Sequence, residues 1–367
     1  MPANNYIAEW FGHRIYPTVM SSPESISDQC SKRCPFLSQV KVQHQECIKP
    51  PNAKGVCTVS STSNGSRQDW VVCPYRVFEP SLIEPIASRL FDVLPTAVLR
   101  THAAPTLASI SVQNDILSEL HAGNRVLIYF DQKLGGEISM RKTERSPEMS
   151  FDVTFVELLE KDGELYMGRF AIVEIQTMDF HGSYRHAVQK LTQAVNLFPT
   201  TYPTQIAANL DWASEGVEGP NIANVVKRTF WQMFFKFEFG QAAKCAGTAL
   251  AIPASVWDSW QSSLSRPDLV PMQDGTFRLC VPGEAIPSTK PPAWIHVFDI
   301  DAGATTTPNP VTTQKVIGVV PGALEHFALK EAPRYASESL LAEAGIYHTL
   351  RRRLRAYWPE RVLNPEP

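Results

Sequence analysis

The chain has 367 residues, of which 44% are apolar and 10% aromatic, so it can bury a full core in one large domain or two ordinary ones. This composition argues against a disordered chain. A formal net charge of −3 excludes no class of partner, because a basic surface can be confined to one cleft. The first residues lack a signal-peptide pattern, and no stretch reaches the roughly 18 apolar residues of a spanning helix. We therefore expect a soluble protein of the cytoplasm without a membrane partner.

The first part of the chain, residues 1–100, is rich in Ser, Pro, Asn and Cys and holds five of the seven cysteines. This composition predicts a loop-rich N-terminal region with a cysteine module at about residues 30–80. The helical pattern SLIEPIASRLFDVL closes the region.

Four cysteines of this region form a candidate metal set: Cys34, Cys47, Cys57 and Cys73. They are separated by 12, 9 and 15 residues and include no C-x₂-C pair. On spacing alone, a four-thiolate site and plain burial of free cysteines both stay open. A reducing cytoplasm argues against a disulfide framework. Cys30 lies just outside the set, and Cys245 and Cys280 are predicted to be core residues.

Residues 101–330 carry the patterning of an α/β domain, which predicts a mixed sheet flanked by helices. Helices are predicted near residues 108–122 and 183–197, the latter capped by Ser183, and from Asn224 through NVVKRTFWQMFFKF. Strands are predicted near residues 125–131, 149–159 and 167–176, and at AWIHVFDI. Residues 331–367 predict a basic C-terminal helix, YHTLRRRLRAYW, and a Pro-rich tail.

Two strand-like runs, MSFDVTFVELL and FAIVEIQ, are joined by EKDGELYMG, in which the Asp-Gly pair is a strong turn signal. A loop of about three residues centred on Gly163 would place Asp152 directly opposite Glu174. Gln176 shares the face of Glu174, because side chains alternate along a strand. Two carboxylates about 4 Å apart repel by roughly 4 kcal/mol at an effective dielectric constant near 20, which predicts a cation between them.

A third acid, Glu137, lies in KLGGEISMRKT, after two glycines at the start of a further strand or the end of a helix. Three acids and one amide suit Mg²⁺, which prefers hard oxygen ligands. On spacing alone, a solvated pair of acids on an exposed strand face is the competing interpretation.

Five stretches carry a family resemblance: YIAEWFGHRIYP, KLGGEISMRKTERSPEMSFD, VEIQTMDFHGSYRHAV, EGPNIANVVKRTFWQM and KCAGTALAIPASVWDSW. They resemble those of the NotI-type type II restriction endonucleases of the PD-(D/E)XK superfamily, and the likeness runs from about Tyr6 to about Trp260. It implies a restriction-endonuclease-like core with a small N-terminal metal-binding module built on four cysteines. It also implies a homodimer that makes Mg²⁺-dependent double-strand cuts in GC-rich palindromic DNA. A cognate DNA methyltransferase is expected in the same host, with no direct contact implied.

The resemblance also implies an active-site set, namely Glu137, Asp152, Glu174 and Gln176, in which Gln176 replaces the Lys of the superfamily. Asp152 and Glu174 would hold Mg²⁺ against the scissile phosphate, and Glu137 would help at a second metal position. Gln176 carries no charge, so it can only orient water or a phosphate oxygen by hydrogen bonding. A structural iron site, whose ligands zinc would satisfy equally, is implied at Cys34, Cys47, Cys57 and Cys73.

Polar residues beside the acids are candidates for contacts with DNA. They are Glu148, Arg141, Lys142, Arg145, His181, Tyr184, Arg185, Lys227 and Arg228. We interpret Glu148 as a base reader that accepts from a cytosine amino group. Solvated side chains are the competing interpretation for the cations. The aromatic stripe after Arg228 is predicted to lie in the core or in a dimer interface.

Two further functions stay open on the sequence. One is a repair or homing nuclease on the same fold, and the other is a non-catalytic, metal-stabilised DNA-binding protein. The cluster of Glu137, Asp152 and Glu174 favours a nuclease, because a pure DNA-binding protein does not need it.

Overall fold

The computed structural model describes residues 5–41, 43–63, 65–338 and 346–359. The strands, in chain order, are β1 (Asn5–Trp10), β2 (His13–Arg14), β3 (Val56–Ser63), β4 (Ser66–Val71), β5 (Leu99–Ala103), β6 (Arg125–Asp131), β7 (Ile138–Met140), β8 (Met149–Phe151), β9 (Val153–Lys161), β10 (Glu164–Ile175), β11 (Cys245–Pro253), β12 (Val270–Pro271), β13 (Phe277–Leu279), β14 (Ala293–Ile300) and β15 (Val311–Val319). The helices are α1 (Pro23–Ser31), α2 (Pro35–Lys41), α3 (Pro80–Leu90), α4 (Ile110–His121), α5 (Arg185–Leu197), α6 (Tyr202–Ala208), α7 (Ile222–Phe239), α8 (Ala254–Trp260), α9 (Ala323–His326), α10 (Ala332–Glu338) and α11 (Ile346–Arg355). The predicted helices and strands of the α/β region are thus present, with shifts of a few residues at their ends, except that the strand predicted near residues 149–159 is interrupted at Asp152 and divides into β8 and β9 of two different sheets.

A large mixed sheet forms the centre of the structure, with strand order β12-β13-β15-β14-β11-β10-β9-β6-β5. Strands β10, β11 and β14 run parallel to one another, whereas β9 lies antiparallel between β10 and β6. The prediction of a mixed α/β fold with a sheet flanked by helices is therefore confirmed.

Helices cover both faces of this sheet. Leu250 and Ile252 of β11 share one apolar cluster with residues of α5, α7 and α8. Ala249 and Ala251, the alternate residues of the same strand, share a second cluster with residues of α3. Because both faces are buried, the central strands read as continuous apolar runs in the sequence.

The β9–β10 hairpin has a two-residue turn, so the predicted three-residue loop is wrong. Asp162 and Gly163 both have positive φ, 56° and 80°, which is the geometry of a tight two-residue hairpin turn. A bulge between Met167 and Phe170 then shifts the pairing by one residue. Beyond this bulge the register is the predicted one, because the bulge compensates for the shorter turn.

The N-terminal region is more ordered than its composition predicts. It forms a four-stranded sheet of order β2-β1-β3-β4, and Ile7 and Trp10 of β1 pack in the same apolar cluster as α5 and α7. Thr58, Ser60 and Ser61 of β3 are buried, and two of them have side-chain partners: Thr58 donates to Glu9, and the Trp70 indole donates to Ser61 at 3.0 Å. The prediction of a loop-rich region is therefore wrong.

The predicted domain boundaries fall inside secondary-structure elements. The boundary at residue 100 lies within β5, which pairs with β6 in the large sheet. The boundary at residue 331 lies in a continuous helical segment, where a π-helical turn at Phe327–Glu331 joins α9 to α10. The predicted basic C-terminal helix is α11, and much of the Pro-rich tail lies outside the described residues. Among the described residues, no helix is both long and apolar enough to cross a lipid bilayer.

His296 of β14 is a titratable residue in the buried part of the sheet, and its titration tests that burial. Its ring is 1% exposed, and neither ring nitrogen has a hydrogen-bond partner among the described residues. Burial lowers the pKa of His296 to about 3, whereas the unfolded chain binds a proton on this ring below about pH 6.5. Between about pH 6.5 and pH 3, the unfolded state therefore binds more protons on His296 than the folded state does. Protonation of this ring in the unfolded state lowers the free energy of unfolding as the pH falls.

Replacing this ring, His296→Leu, should flatten the pH dependence of stability between about pH 6.5 and pH 5, by up to about 1.4 kcal/mol per pH unit. Urea unfolding of both proteins at a series of pH values measures this difference. Parallel stability curves for the two proteins would contradict the assignment of a neutral, buried His296.

Candidate active site

Three acidic residues come together where three strands meet. In the β7–β8 pair, Ile138 lies opposite Phe151, so the next residues outward, Glu137 and Asp152, face each other. The β9–β10 register places Asp152 beside Glu174 on its other side, one residue beyond the last paired residues of that ladder. The structure therefore brings together the three acids that the sequence predicted, at one edge of the large sheet.

The two central carboxyls are held differently. Oδ2 of Asp152 accepts the backbone N–H of Ile175 at 2.8 Å, and Oε2 of Glu174 accepts from Nζ of Lys236 at 2.5 Å. Oε1 of Glu174 is buried and has no hydrogen-bond partner among the described residues. Burial raises the pKa of both carboxyls, and the charge of Asp152 contributes to raising the pKa of Glu174 to about 8.

Lys236 is a site residue that the sequence reasoning missed. It lies on α7, is 4% exposed, and its Nζ is 5.7 Å from the centre of the Phe151 ring. The signal in the sequence was a lysine inside the aromatic stripe FFKF, at a helical spacing of seven from Thr229, which is also buried. Polar residues two turns apart on the apolar face of a helix indicate partners on the element below.

Asp131 is a second residue that the sequence reasoning missed. It ends β6 and is 7% exposed, and its Oδ1 accepts the backbone N–H of Lys133 at 2.8 Å. Burial raises its pKa first, and the negative charges of Asp152 and Glu137 raise it further. Asp131 therefore belongs to the same acid cluster, and its signal was an acid at the end of the apolar run RVLIYF.

Gln176 lies on the α7 side of β10, as Glu174 does, so the prediction that they share one face agrees with the structure. Its amide oxygen accepts from the Thr229 hydroxyl, and its amide nitrogen donates to the Thr177 carbonyl at 2.5 Å. Gln176 is 5% exposed. In this arrangement its side chain connects the end of β10 to α7, and its predicted role toward water or phosphate stays a prediction.

The acid cluster is not assembled as a finished metal site. Within the described ranges of the chain, no group of three or more His, Cys, Asp or Glu side chains is arranged so that it could hold a metal ion. Lys236 occupies one oxygen of Glu174, and a backbone N–H occupies one oxygen of Asp152. The free, buried Oε1 of Glu174 and the clustered carboxylates nevertheless supply the hard oxygen donors that Mg²⁺ requires.

The four predicted cysteines line one small cavity of about 10 Å³, together with Lys49 and Tyr75. This is close to the space that a single water molecule needs. A hydrogen bond from Cys57, with the charge of Lys49, lowers the pKa of Cys73 to about 6, so Cys73 has thiolate character near neutral pH. Four thiols are the donors that iron and zinc bind, but the described cysteines are likewise not arranged as a ligand group, and the metal assignment stays a prediction.

The other cysteines are placed differently from these four. Cys30 is exposed and does not line this cavity. Cys245 and Cys280 are only partly buried, so the prediction that they are core residues is wrong. Each lies at or just beyond the end of a strand, where the sheet no longer covers both faces.

The predicted DNA-contacting residues lie on two loops and two helices around the acids. Residues 141–148 connect β7 to β8, and Arg141, Lys142, Arg145 and Glu148 are all exposed there. The loop that follows Gln176 carries His181, which is exposed. This loop pairs with the segment before α7, because Phe180 bridges to Pro220.

The remaining candidates lie at the start of α5 and on α7. The N-cap of α5 is Tyr184, which is half-buried, and its first residue is the exposed Arg185, so the predicted Ser183 cap is wrong. On α7, Lys227 is exposed and Arg228 forms a 3.1 Å ion pair with Asp179. The exposure of these side chains does not show whether they contact DNA, so the predicted contacts stay predictions.

The aromatic stripe of α7 divides between the core and the surface. Phe230 is 9% exposed and packs against Trp260, whereas Trp231 is 64% exposed and contacts the neighbouring Phe235 ring in an edge-on geometry. The core prediction therefore holds for Phe230, and a dimer interface at Trp231 stays a prediction.

Comparison with known proteins gives no assignment. No family model matches the chain, and no curated protein matches it either. The resemblance to NotI-type endonucleases accordingly stays a prediction, and the function is argued below from the chemistry of the site.

The cysteine set gives a direct test. We expect purified protein to carry about one equivalent of iron or zinc per chain, because four thiols converge on one cavity. Cys73→Ser should lose most of this metal and lower the melting temperature, whereas the matched control Cys280→Ser should retain it. Elemental analysis measures the metal. Wild-type protein with far less than one equivalent, or equal losses in both variants, would refute the site.

Proposed function

We propose that the protein is a NotI-type type II restriction endonuclease, which cuts both strands of a GC-rich palindromic DNA site by Mg²⁺-dependent hydrolysis. The observation that carries this proposal is the convergence of Glu137, Asp152 and Glu174 from three strands at one sheet edge. Buried carboxylates in contact are costly for a folded protein unless a cation offsets their repulsion. Lys236 offsets this cost at Glu174, and the remaining acids, Asp152 beside it and the exposed Glu137, supply the additional oxygen donors that support metal chemistry here.

The proposed chemistry is hydrolysis of a phosphodiester. A divalent ion, when bound, lowers the pKa of a water molecule and stabilises charge on the phosphate oxygens. Asp152 and Glu174 would hold that ion, with Glu137 and Asp131 able to serve a second position. A bond forms between the water oxygen and phosphorus while the bond from phosphorus to the 3′ oxygen breaks, which leaves a 5′-phosphate and a 3′-hydroxyl.

The surroundings of the site are suited to a polyanion. The exposed cations of residues 141–145 lie on the loop that leads from the strand after Glu137 to the strand before Asp152. Arg185, Lys32 and Lys54 line an open groove of about 660 Å³ between α5 and the N-terminal region. Exposed cations on the loop between Glu137 and Asp152 can bind the phosphates that flank a scissile bond.

The palindromic target requires two copies of the site. A two-fold homodimer places two identical sites on opposite strands, as the symmetry of a palindrome demands. The exposed Trp231 and the neighbouring Phe235 on α7 are the side chains that we assign to this interface, because large aromatic residues are enriched at protein interfaces.

One observation favours a second candidate, a DNA-binding protein without catalysis. The Lys236 ammonium already neutralises Glu174, so the acids do not need a metal ion for the fold to persist. The two candidates differ in their response to loss of the Glu174 charge, since only a nuclease has cutting to lose.

The test compares Glu174→Gln with Glu164→Gln, which makes the same change at an exposed position of the same strand. We expect wild-type protein with Mg²⁺ to cut a long DNA of known sequence at defined sites. Glu174→Gln should reduce the cutting rate by about a hundredfold or more while DNA binding persists, because it removes a metal ligand. The Glu164→Gln control should cut like wild type.

Sequencing of the fragment ends gives both the site and the cleavage position. Wild-type protein that binds DNA but never cuts it would support the second candidate. Cutting by Glu174→Gln at the wild-type rate would refute the proposed site.

A further inference from the structure

The acid cluster contains the ammonium group of Lys236. It reaches the cluster from α7, lies 2.5 Å from Oε2 of Glu174, and belongs to a residue that is 4% exposed. Oε1 of the same carboxylate is buried and unpartnered among the described residues. An ion that is to bind Glu174 through both oxygens must therefore compete with Lys236.

We infer that Lys236 is a displaceable counter-ion of the acid cluster, which leaves Glu174 when a divalent cation binds and then pairs with a phosphate of bound DNA. The inference rests on the proposed function, and it assigns to Lys236 the coupling between metal binding and DNA binding. Lys236 acts here through Glu174 and is a positioning residue.

The surroundings of Lys236 allow such a movement. Its four-carbon stem is flexible, and its Nζ lies 5.7 Å from the centre of the Phe151 ring, a distance at which a ring face attracts a cation. Phe151 directly precedes Asp152. The ammonium therefore has a second favourable neighbour within the same site when Glu174 is taken by an ion.

The coupling follows from the cost of a buried, unpaired charge. If a divalent ion displaces Lys236 while DNA is absent, the ammonium remains buried without a carboxylate partner, which opposes metal binding. A phosphodiester brought to the site supplies a new negative partner. Metal and DNA should therefore bind more tightly together than separately, and linkage makes this effect reciprocal.

The experiment titrates Ca²⁺ into DNA-free protein by calorimetry, with wild type, Lys236→Met and Lys236→Arg. Met keeps an unbranched apolar stem of similar length but removes the competing charge, and Arg keeps the charge. We expect Lys236→Met to bind Ca²⁺ about tenfold or more tightly than wild type, and Lys236→Arg to show no gain. Titrations at about pH 9 reduce the competition between Ca²⁺ and a proton for the carboxyls.

The matched control is Lys244→Met, which removes an exposed lysine further along the chain and should bind Ca²⁺ like wild type. If Lys236→Met does not fold, as judged by its thermal melt, Lys236→Gln makes the same test. Equal or weaker Ca²⁺ binding by the uncharged variant, or no binding by either protein, overturns the inference.

A second titration adds a GC-rich duplex that contains the site mapped by digestion. Wild type should gain about tenfold or more in Ca²⁺ affinity on addition of this duplex, and Lys236→Met should gain less. Equal gains in both proteins overturn the coupling. If wild type cuts no DNA, the proposed function fails, and the DNA-free titration still decides whether Lys236 competes with a divalent ion.

Discussion

The repulsion between the half-buried carboxylate of Asp152 and the buried carboxylate of Glu174 is the constraint on which the rest of the site depends. At the closeness set by the hairpin, two such charges repel by several kcal/mol at an effective dielectric constant near 20, a cost that a domain with a net stability of roughly 5–15 kcal/mol cannot leave uncompensated. The hairpin register fixes their proximity, since a slip of one residue between the two strands would place the two side chains on opposite faces of the sheet. The structure offsets the repulsion by hydrogen bonds, by a buried ammonium and by the raised pKa of Glu174, which favours the neutral form of this carboxyl.

Helix α7 supplies the side chains that contact the end of β10 in the acid cluster. Thr229 binds Gln176 and Lys236 binds Glu174, so two residues on one face of the helix contact alternate residues at the end of β10. The same helix contributes Phe230 to the core beneath the sheet. Its packing energy thus holds the ammonium at the carboxylates, and the hydrophobic effect contributes indirectly to the electrostatics of the site.

The cysteine cavity and the acid cluster are neighbours across a single side chain. Tyr75 lines the cysteine cavity, and burial together with the charge of Asp131 raises the pKa of its hydroxyl. The buried Arg76 that follows it pairs with Glu9 of β1 and with Glu79 before α3. This network joins the N-terminal sheet to β15 of the large sheet, because Glu79 also accepts the backbone N–H of Val311 at 3.1 Å.

The sequence by itself determined the mixed α/β class, the β9–β10 hairpin, the three acids and the four cysteines, because these features are local: they follow from the period of apolar residues, from turn chemistry and from the types of side chain. Only the tertiary structure decided three other features. They are the compensating bulge at residues 167–170, the partners of the buried Ser and Thr residues of β3, and the contributions of Lys236 and Asp131 to the acid cluster. Lys236 lies 62 residues from Glu174, and no spacing rule links two residues whose proximity depends on how a helix packs against a sheet. Contacts between distant elements are set by side-chain packing and charge compensation in three dimensions, and the linear sequence does not display them.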